Sequence, residues 1–329
     1  MKKINCAVIG LGVGLKHAMV IEKLKYANLK IICDFNKKKL NKYSKFFLKS
    51  KCVANDNSIY TDPDIDLVVI ASYDNYHFSQ IKKCIVNKKN FFVEKPFCLT
   101  PNEFKIITSL LKNSKIKFST NLILRNHPYF KFLKKQILSK KIGNLYHLEA
   151  SYNYGRLYKL TSGWRGKIPF YSVTLGGGIH LIDLVLWLNN YSKITKVFSI
   201  GNSISTKKTS FRFNDLVVAI IKFKNNVTFK LTSNYSCVMP HHHVLEAYGT
   251  KKTFIYNFNN SQKFISRNKK VKPTKIEKNY DNFEKSKVLT IFIKSLTRKN
   301  KKNIIKQNEI LDLMSACFKI ENALKRKNF

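Results

Sequence analysis

The sequence predicts an α/β chain that opens with a doubly wound parallel sheet and continues as an α+β region with a large, mostly antiparallel open sheet. Three observations carry this. Apolar, β-rich runs alternate with helical stretches through the first 120 residues. A glycine-rich turn, Gly10-Leu11-Gly12-Val13-Gly14, directly follows the first of those runs. After residue 121 the rhythm changes to long strand-like segments with few helices. At 329 residues the chain is long for one core, so two domains are expected, at 1–121 and 122–329.

In order, Ile4–Ile9 reads as the first strand and Leu15–Lys25 as a helix. Leu29–Cys33 is the second strand, and Asn36–Phe47 the next helix. Asp62-Pro63-Asp64 is turn-like and leads into the strand Leu67–Ala71, followed by a helix over Tyr76–Asn87 with Ile81, Cys84 and Ile85 on one face. Phe91–Val93 is a strand, Thr100-Pro101 opens a helix as cap and first-turn proline, and Lys117–Thr120 closes the series. Beyond it come a helix at Pro128–Ser139 and strands at Leu145–Tyr154, Ile194–Ile200, Leu216–Phe223, Val227–Tyr235, Val244–Tyr248 and Thr253–Phe258. Asn225-Asn226 signals a hairpin. Helices are expected at Ile179–Leu188 and within the last 45 residues, where the stripe along Ile304–Lys325 reads as core packing. Asn259–Lys287 is polar, Lys-rich and reads as a mobile excursion.

A formal net charge of +42 first suggests a nucleic-acid partner. Only 7 of the 61 basic residues are Arg, however, and the Lys are spread along the whole chain. Base and phosphate readers rely on bidentate Arg, so specific nucleic-acid binding is not expected. Seven cysteines without a C-x-x-C pair read as buried thiols in a reducing, cytoplasmic compartment. The start imitates a secretory leader, but Gly10, Gly12, Gly14 and Lys16 interrupt it, and no apolar stretch reaches the length of a membrane span.

Gly10 to Gly14 lie between strand and helix, where a phosphate-cradling turn belongs. The third glycine comes one residue earlier than in the usual G-x-G-x-x-G spacing, with Leu15 in its place. Asp34 ends the second strand, 22 residues past Gly12, where a carboxylate can accept hydrogen bonds from ribose hydroxyls. That acid favours NAD, while Lys37, Lys38 and Lys39 leave NADP open. Val93-Glu94-Lys95-Pro96 places an ammonium at the end of another parallel strand. The two signals converge on a nicotinamide-binding crevice with a lysine beside the hydride.

Together these residues resemble the Gfo/Idh/MocA oxidoreductase family, which includes glucose–fructose oxidoreductase and inositol dehydrogenase. The resemblance runs over about residues 4–256, on Val8-Ile9-Gly10-Leu11-Gly12, Asp62-Pro63-Asp64-Ile65-Asp66, Asn75-Tyr76-His77, Val93-Glu94-Lys95-Pro96-Phe97 and Gly163-Trp164-Arg165. It continues through Gly176-Gly177-Gly178-Ile179-His180-Leu181-Ile182-Asp183 and Tyr248-Gly249-Thr250-Lys251. It implies a Rossmann domain, then a domain whose open sheet often forms an oligomer interface, hence a homodimer or homotetramer. It also implies that Leu11, Val13, Ser72, Asn75, His77 and Glu94 contribute to the cofactor site.

By the same resemblance Lys95 contacts the reacting oxygen, with a Lys95-Pro96 bond that is often cis. An ammonium there would stabilise a developing alkoxide. His180 matches the proton-transfer residue, with Asp183 three residues on and able to orient its ring. Many relatives carry an Asp four residues before this His; here that position is Gly176. Asn121, Arg125, Tyr152, Tyr154, Arg156 and Arg165 are candidates to ring a substrate, since Arg forks suit carboxylate or phosphate and Tyr faces suit a sugar ring. In His241-His242-His243 only the outer two share a face of an extended chain, and no third ligand has metal spacing, so no metal is expected.

The expected activity is hydride transfer to or from a secondary hydroxyl or ketone of a sugar derivative, with nucleotide-linked sugars of polysaccharide synthesis among the candidates. Lys95 and His180 are expected to meet around one substrate carbon. The alternatives are a non-catalytic NAD(P)-binding regulator, kept open by Gly176, and a sugar lyase or hydrolase using bound NAD as a transient oxidant.

Overall fold

A computed structural model describes residues 3–257, 261–276, 284–297 and 303–325. The chain groups into two compact units. One runs to Ile123 and also takes in residues up to Leu311 of the late chain; the other starts at Leu124 and takes in the chain from Asp312.

The first unit is built on β1 (Ile4–Ile9), β2 (Ala27–Cys33), β3 (Lys51–Val53), β4 (Leu67–Ile70), β5 (Asn90–Val93) and β6 (Phe118–Thr120). All pair in parallel, in the order β3-β2-β1-β4-β5-β6. Its helices are α1 (Gly14–Glu22), α2 (Lys37–Ser44), α3 (Asn57–Thr61), α4 (His77–Val86) and α5 (Pro101–Leu111). The apolar runs are buried on both faces, as parallel strands between helix layers must be: β4 is buried at every residue. Thr100 and Glu103 close a full capping box ahead of Pro101. The strand order reverses between β1 and β4, which makes their carboxyl ends the crevice of a doubly wound sheet.

Register fixes what stands at that crevice. Cys33, Ile9, Ile70, Val93 and Thr120 lie side by side across β2, β1, β4, β5 and β6. The residue after each is Asp34, Gly10, Ala71, Glu94 and Asn121.

The second unit carries α6 (Pro128–Leu138), β7 (Leu145–Asn153), α7 (Tyr158–Thr161), α8 (Ile179–Leu188), β8 (Ile194–Asn202), β9 (Leu216–Phe223) and β10 (Thr228–Asn234). It continues with β11 (His242–Gly249), β12 (Thr253–Tyr256), β13 (Ser261–Phe264) and β14 (Thr274–Lys275). The eight strands order as β14-β13-β12-β11-β7-β10-β9-β8, antiparallel throughout except for the parallel pair β7–β10. One face of β9 and β10 alternates into the core, with Val217, Ala219 and Ile221 facing the same side as Phe229 and Leu231. The hairpin between them turns at Asn226, whose φ of 62° suits an Asn.

The late chain supplies α9 (Lys287–Leu296), whose Phe292 packs on Phe92 of β5, and α10 (Gln307–Lys325). Part of the expected excursion at Asn259–Lys287 is instead the β13–β14 pair; Asn259, Asn260 and residues 277–283, like Phe258, lie outside the described residues. Five cysteines are buried, whereas Cys52 is exposed on the edge strand β3 and Cys237 is half-buried, so the all-buried expectation fails at those two. Among the described residues, no helix is long and apolar enough to cross a membrane.

Candidate active site

In the first unit, the turn after β1 divides its glycines by role. Gly10 has φ +87°, and a Cβ there would stand 2.5 Å from the Ala71 carbonyl oxygen. At Gly14 a Cβ would stand 2.9 Å from that of Ala71. These two are glycine because Ala71, the residue after β4, comes that close. A Cβ on Gly12 would meet nothing within 4 Å, so its own fold does not demand glycine there. Open space beside a bare backbone, ahead of a helix whose first turn has no side-chain cap, is what a pyrophosphate needs. Leu11 is buried and Val13 is 55% exposed.

Asp34, buried, accepts the Leu11 amide at 2.7 Å, the Asn36 amide at 2.9 Å and the Lys39 ammonium at 2.8 Å. Beyond β4, the Ser72 hydroxyl donates to Gln80 at 2.6 Å. Asn75 sits in a 3₁₀ turn with its Oδ1 buried and without a hydrogen-bond partner. His77 is fully buried; its ring lies 2.7 Å from the Pro96 carbonyl and 3.2 Å from that of Ser72. It thus ties the loop after β4 to the loop after β5.

Glu94 follows β5, and its Oε1 receives His17 of α1 at 2.7 Å and the Asn121 amide at 2.8 Å. Burial pushes this carboxyl up, but the His17 hydrogen bond and charge, the charge of Lys95 and the Asn121 bond outweigh it and hold it below the usual carboxylate range. Lys95 is half-buried, and its peptide bond to Pro96 is cis. Asn121 serves Glu94 in this structure, with Asn121 Oδ1 and Thr120 Oγ1 buried and without hydrogen-bond partners. Orphaned polar atoms, an open glycine and a buried acid at one sheet end fit a dinucleotide.

In the second unit, α8 is entered through a π-type turn, Thr174–Gly178, and such turns recur at functional sites. A Cβ on any of its three glycines would meet a neighbouring side chain. A Cβ on Gly176 would lie 2.0 Å from the Tyr171 hydroxyl, on Gly177 2.3 Å from the Tyr152 ring, and on Gly178 2.3 Å from Ser233 Oγ. His180 stands half-buried in the first turn of α8. Tyr152 lies 6.5 Å from it between ring centres, and His243 6.4 Å. His241 and His243 each pack on Tyr152, at 5.1 and 5.2 Å. Tyr154 stacks on Tyr152, and Arg156 covers Tyr154. Arg165 donates to the Tyr171 hydroxyl at 3.0 Å, which lies 3.2 Å from that of Tyr235. Burial pushes the hydroxyls of Tyr152 and Tyr235 well up, so both stay protonated and can donate.

Two expected residues have other work. Arg125 donates to Asp183 through Nε at 3.0 Å and through a second nitrogen at 2.5 Å, and each partner is 1% exposed. Arg125 also donates to the Tyr191 hydroxyl. Because α8 is buried nearly all round, Asp183 points inward and needs a counter-charge; Arg125 is that charge. Arg125 and Asp183 thus form a buried ion pair with each other. Sequence reasoning missed His17, Tyr171 and Tyr235, whose roles depend on partners 77 and 64 residues away. Among the described residues, no group of three His, Cys, Asp or Glu could hold a metal ion.

Comparison with known proteins matches two models. One is described as an oxidoreductase family with an NAD-binding Rossmann fold, over residues 4–122, and the other as the GFO/IDH/MocA C-terminal domain, over residues 130–255. An uncharacterized oxidoreductase, YrbE, of Bacillus subtilis is 24% identical over 76% of this chain and 72% of its own. The myo-inositol 2-dehydrogenase of Thermotoga maritima is 23% identical over 74% and 72%. The fold also matches a scyllo-inositol dehydrogenase from Lactobacillus casei, solved with NAD(H) and scyllo-inositol. Its TM-score is 0.81 at 19% identity, over 99% of this chain and 98% of that one.

Proposed function

The chain belongs to the GFO/IDH/MocA oxidoreductase family, and from that premise we propose that it oxidises a secondary hydroxyl, or reduces the matching ketone, of a polyol or sugar derivative with NAD(P). The observation that carries the reading is the row of residues one step past the parallel strands. It sets an open glycine turn, a buried acid and the Glu94-Lys95 pair at one sheet end. Oxidation of a carbinol removes a hydride from carbon and a proton from oxygen, and bound nicotinamide supplies the hydride acceptor. The protein must handle the charge on oxygen and the proton. Lys95 supplies the ammonium that stabilises the oxygen, and His180 carries the proton. Tyr152 and Tyr154 offer aromatic faces, and Arg156 and Arg165 favour a substrate bearing a carboxylate, phosphate or nucleotide. The inositol dehydrogenases among the relatives support the polyol class. The comparisons favour neither the regulator nor the lyase or hydrolase alternative.

The test is nicotinamide absorbance across inositols, hexoses, uronates and nucleotide-linked sugars, with Lys95→Met as control. We expect kcat with a productive substrate to fall at least about 100-fold in the variant while NADH affinity holds. Unchanged turnover would remove Lys95 from the chemistry.

The second unit's sheet is proposed to pair two copies. Phe198 and Ile220 lie opposite each other on β8 and β9 and are 63% and 53% exposed, with Ile200 beside them. A monomer in sedimentation velocity would refute this.

A further inference from the structure

We propose that Lys39 sets the coenzyme preference, so that this chain binds NADPH about as well as NADH. The proposal rests on the dinucleotide reading above and deepens it. An acid at the end of β2 discriminates against a 2′-phosphate only while its charge is uncompensated. Here it is compensated. Asp34 is 3% exposed, and the Lys39 ammonium lies 2.8 Å from its Oδ2, with the Lys39 side chain 32% exposed.

A carboxylate offers about four acceptor positions. Three are already filled: Oδ2 by the Leu11 amide and Lys39, and Oδ1 by the Asn36 amide. One position is left for a ribose diol that brings two hydroxyls. Full engagement of the diol therefore displaces Lys39, which weakens the usual advantage of NADH. Conversely, Lys39 has three N–H donors and uses one on Asp34, which leaves two for a 2′-phosphate. The exposed Lys37 and Lys38, in the first turn of α2, add positive charge beside it. NADH loses part of its grip and NADPH gains one, through the same side chain.

The experiment is titration of NADH and NADPH by the change in their fluorescence, on the full chain as wild type, Lys39→Met and Lys39→Arg. We expect the wild-type dissociation constants to lie within tenfold of each other. Lys39→Met should weaken NADPH at least tenfold and leave NADH as tight or tighter, and Lys39→Arg should restore NADPH. NADH binding by Lys39→Met doubles as its folding control. A wild-type preference for NADH beyond tenfold would overturn the proposal, as would a Lys39→Met variant that treats both nucleotides as wild type does. Binding of neither nucleotide by the wild type would instead strike down the dinucleotide reading itself.

Discussion

His17 Nε2 lies 2.7 Å from Glu94 Oε1, joining the first turn of α1 to the residue before Lys95 across 77 positions of chain. The contact ties the glycine-turn end of the crevice to the lysine end within one unit. It also decides the state of a buried carboxyl, since His17, Lys95 and Asn121 together outweigh the desolvation of Glu94.

The pH dependence follows from that balance. The folded carboxyl sits below its ordinary value of 4.5, so the unfolded chain takes up the proton first. Its stabilising contribution is complete above that value and is lost as pH falls through the folded one. Thermal unfolding followed downward from pH 6 should show a drop that Glu94→Gln flattens. Parallel curves for the two proteins would show that Glu94 does not carry the effect.

The glycine turn separates fold from binding. Gly10→Ala places a Cβ 2.5 Å from the Ala71 oxygen at φ +87°, and should cost at least about 1–3 kcal/mol of stability. Gly12→Ala meets nothing within 4 Å and should stay within about 0.5 kcal/mol of wild type. It should nonetheless weaken NADH, because the methyl enters the ligand's space. Urea unfolding and NADH titration of both variants check the pair; a Gly12→Ala protein that binds NADH normally would move the pyrophosphate elsewhere.

The pair of Arg125 and Asp183 is a stability device. Arg125→Met removes the guanidinium from a buried carboxylate and should cost about 3–5 kcal/mol in urea unfolding. Arg125→Met with Asp183→Leu removes both charges and should recover most of that. Should the double variant be worse than the single, the pair does more than neutralise itself.

Legibility in the sequence followed the range of the interaction. Leu216–Phe223 and Ile179–Leu188 emerge with the boundaries their apolar patterns predict, because periodicity is local. Lys51–Val53 and Asn57–Thr61 went unseen. The first is a three-residue edge strand whose Lys51 and Cys52 are exposed, and the second a single short helix without a stripe. The glycine turn, Asp34 and Lys95 belong to short local motifs that a sequence displays. That Asp183 faces Arg125, 58 positions away, is set by how α8 packs, and no spacing rule announces it. The motif around His77 is local, but the two carbonyls it braces are brought to it only by the fold.

Gly176 supplies the sharpest steric test. Tyr171 is 1% exposed, and its hydroxyl is held from two sides, by Arg165 at 3.0 Å and Tyr235 at 3.2 Å. A side chain at position 176 would begin 2.0 Å from that hydroxyl, so the tyrosine occupies the place where a carboxylate four residues before His180 would stand. Gly176→Ala should therefore cost about 1–3 kcal/mol through overpacking. Removing the obstructing oxygen with Tyr171→Phe should make the alanine cheaper, although the ring carbon at 2.6 Å limits the relief. In a double-variant cycle read by urea unfolding, the combined cost should fall below the sum of the two single costs. Strict additivity would mean that the backbone of the π-type turn, rather than Tyr171, is what excludes a larger residue.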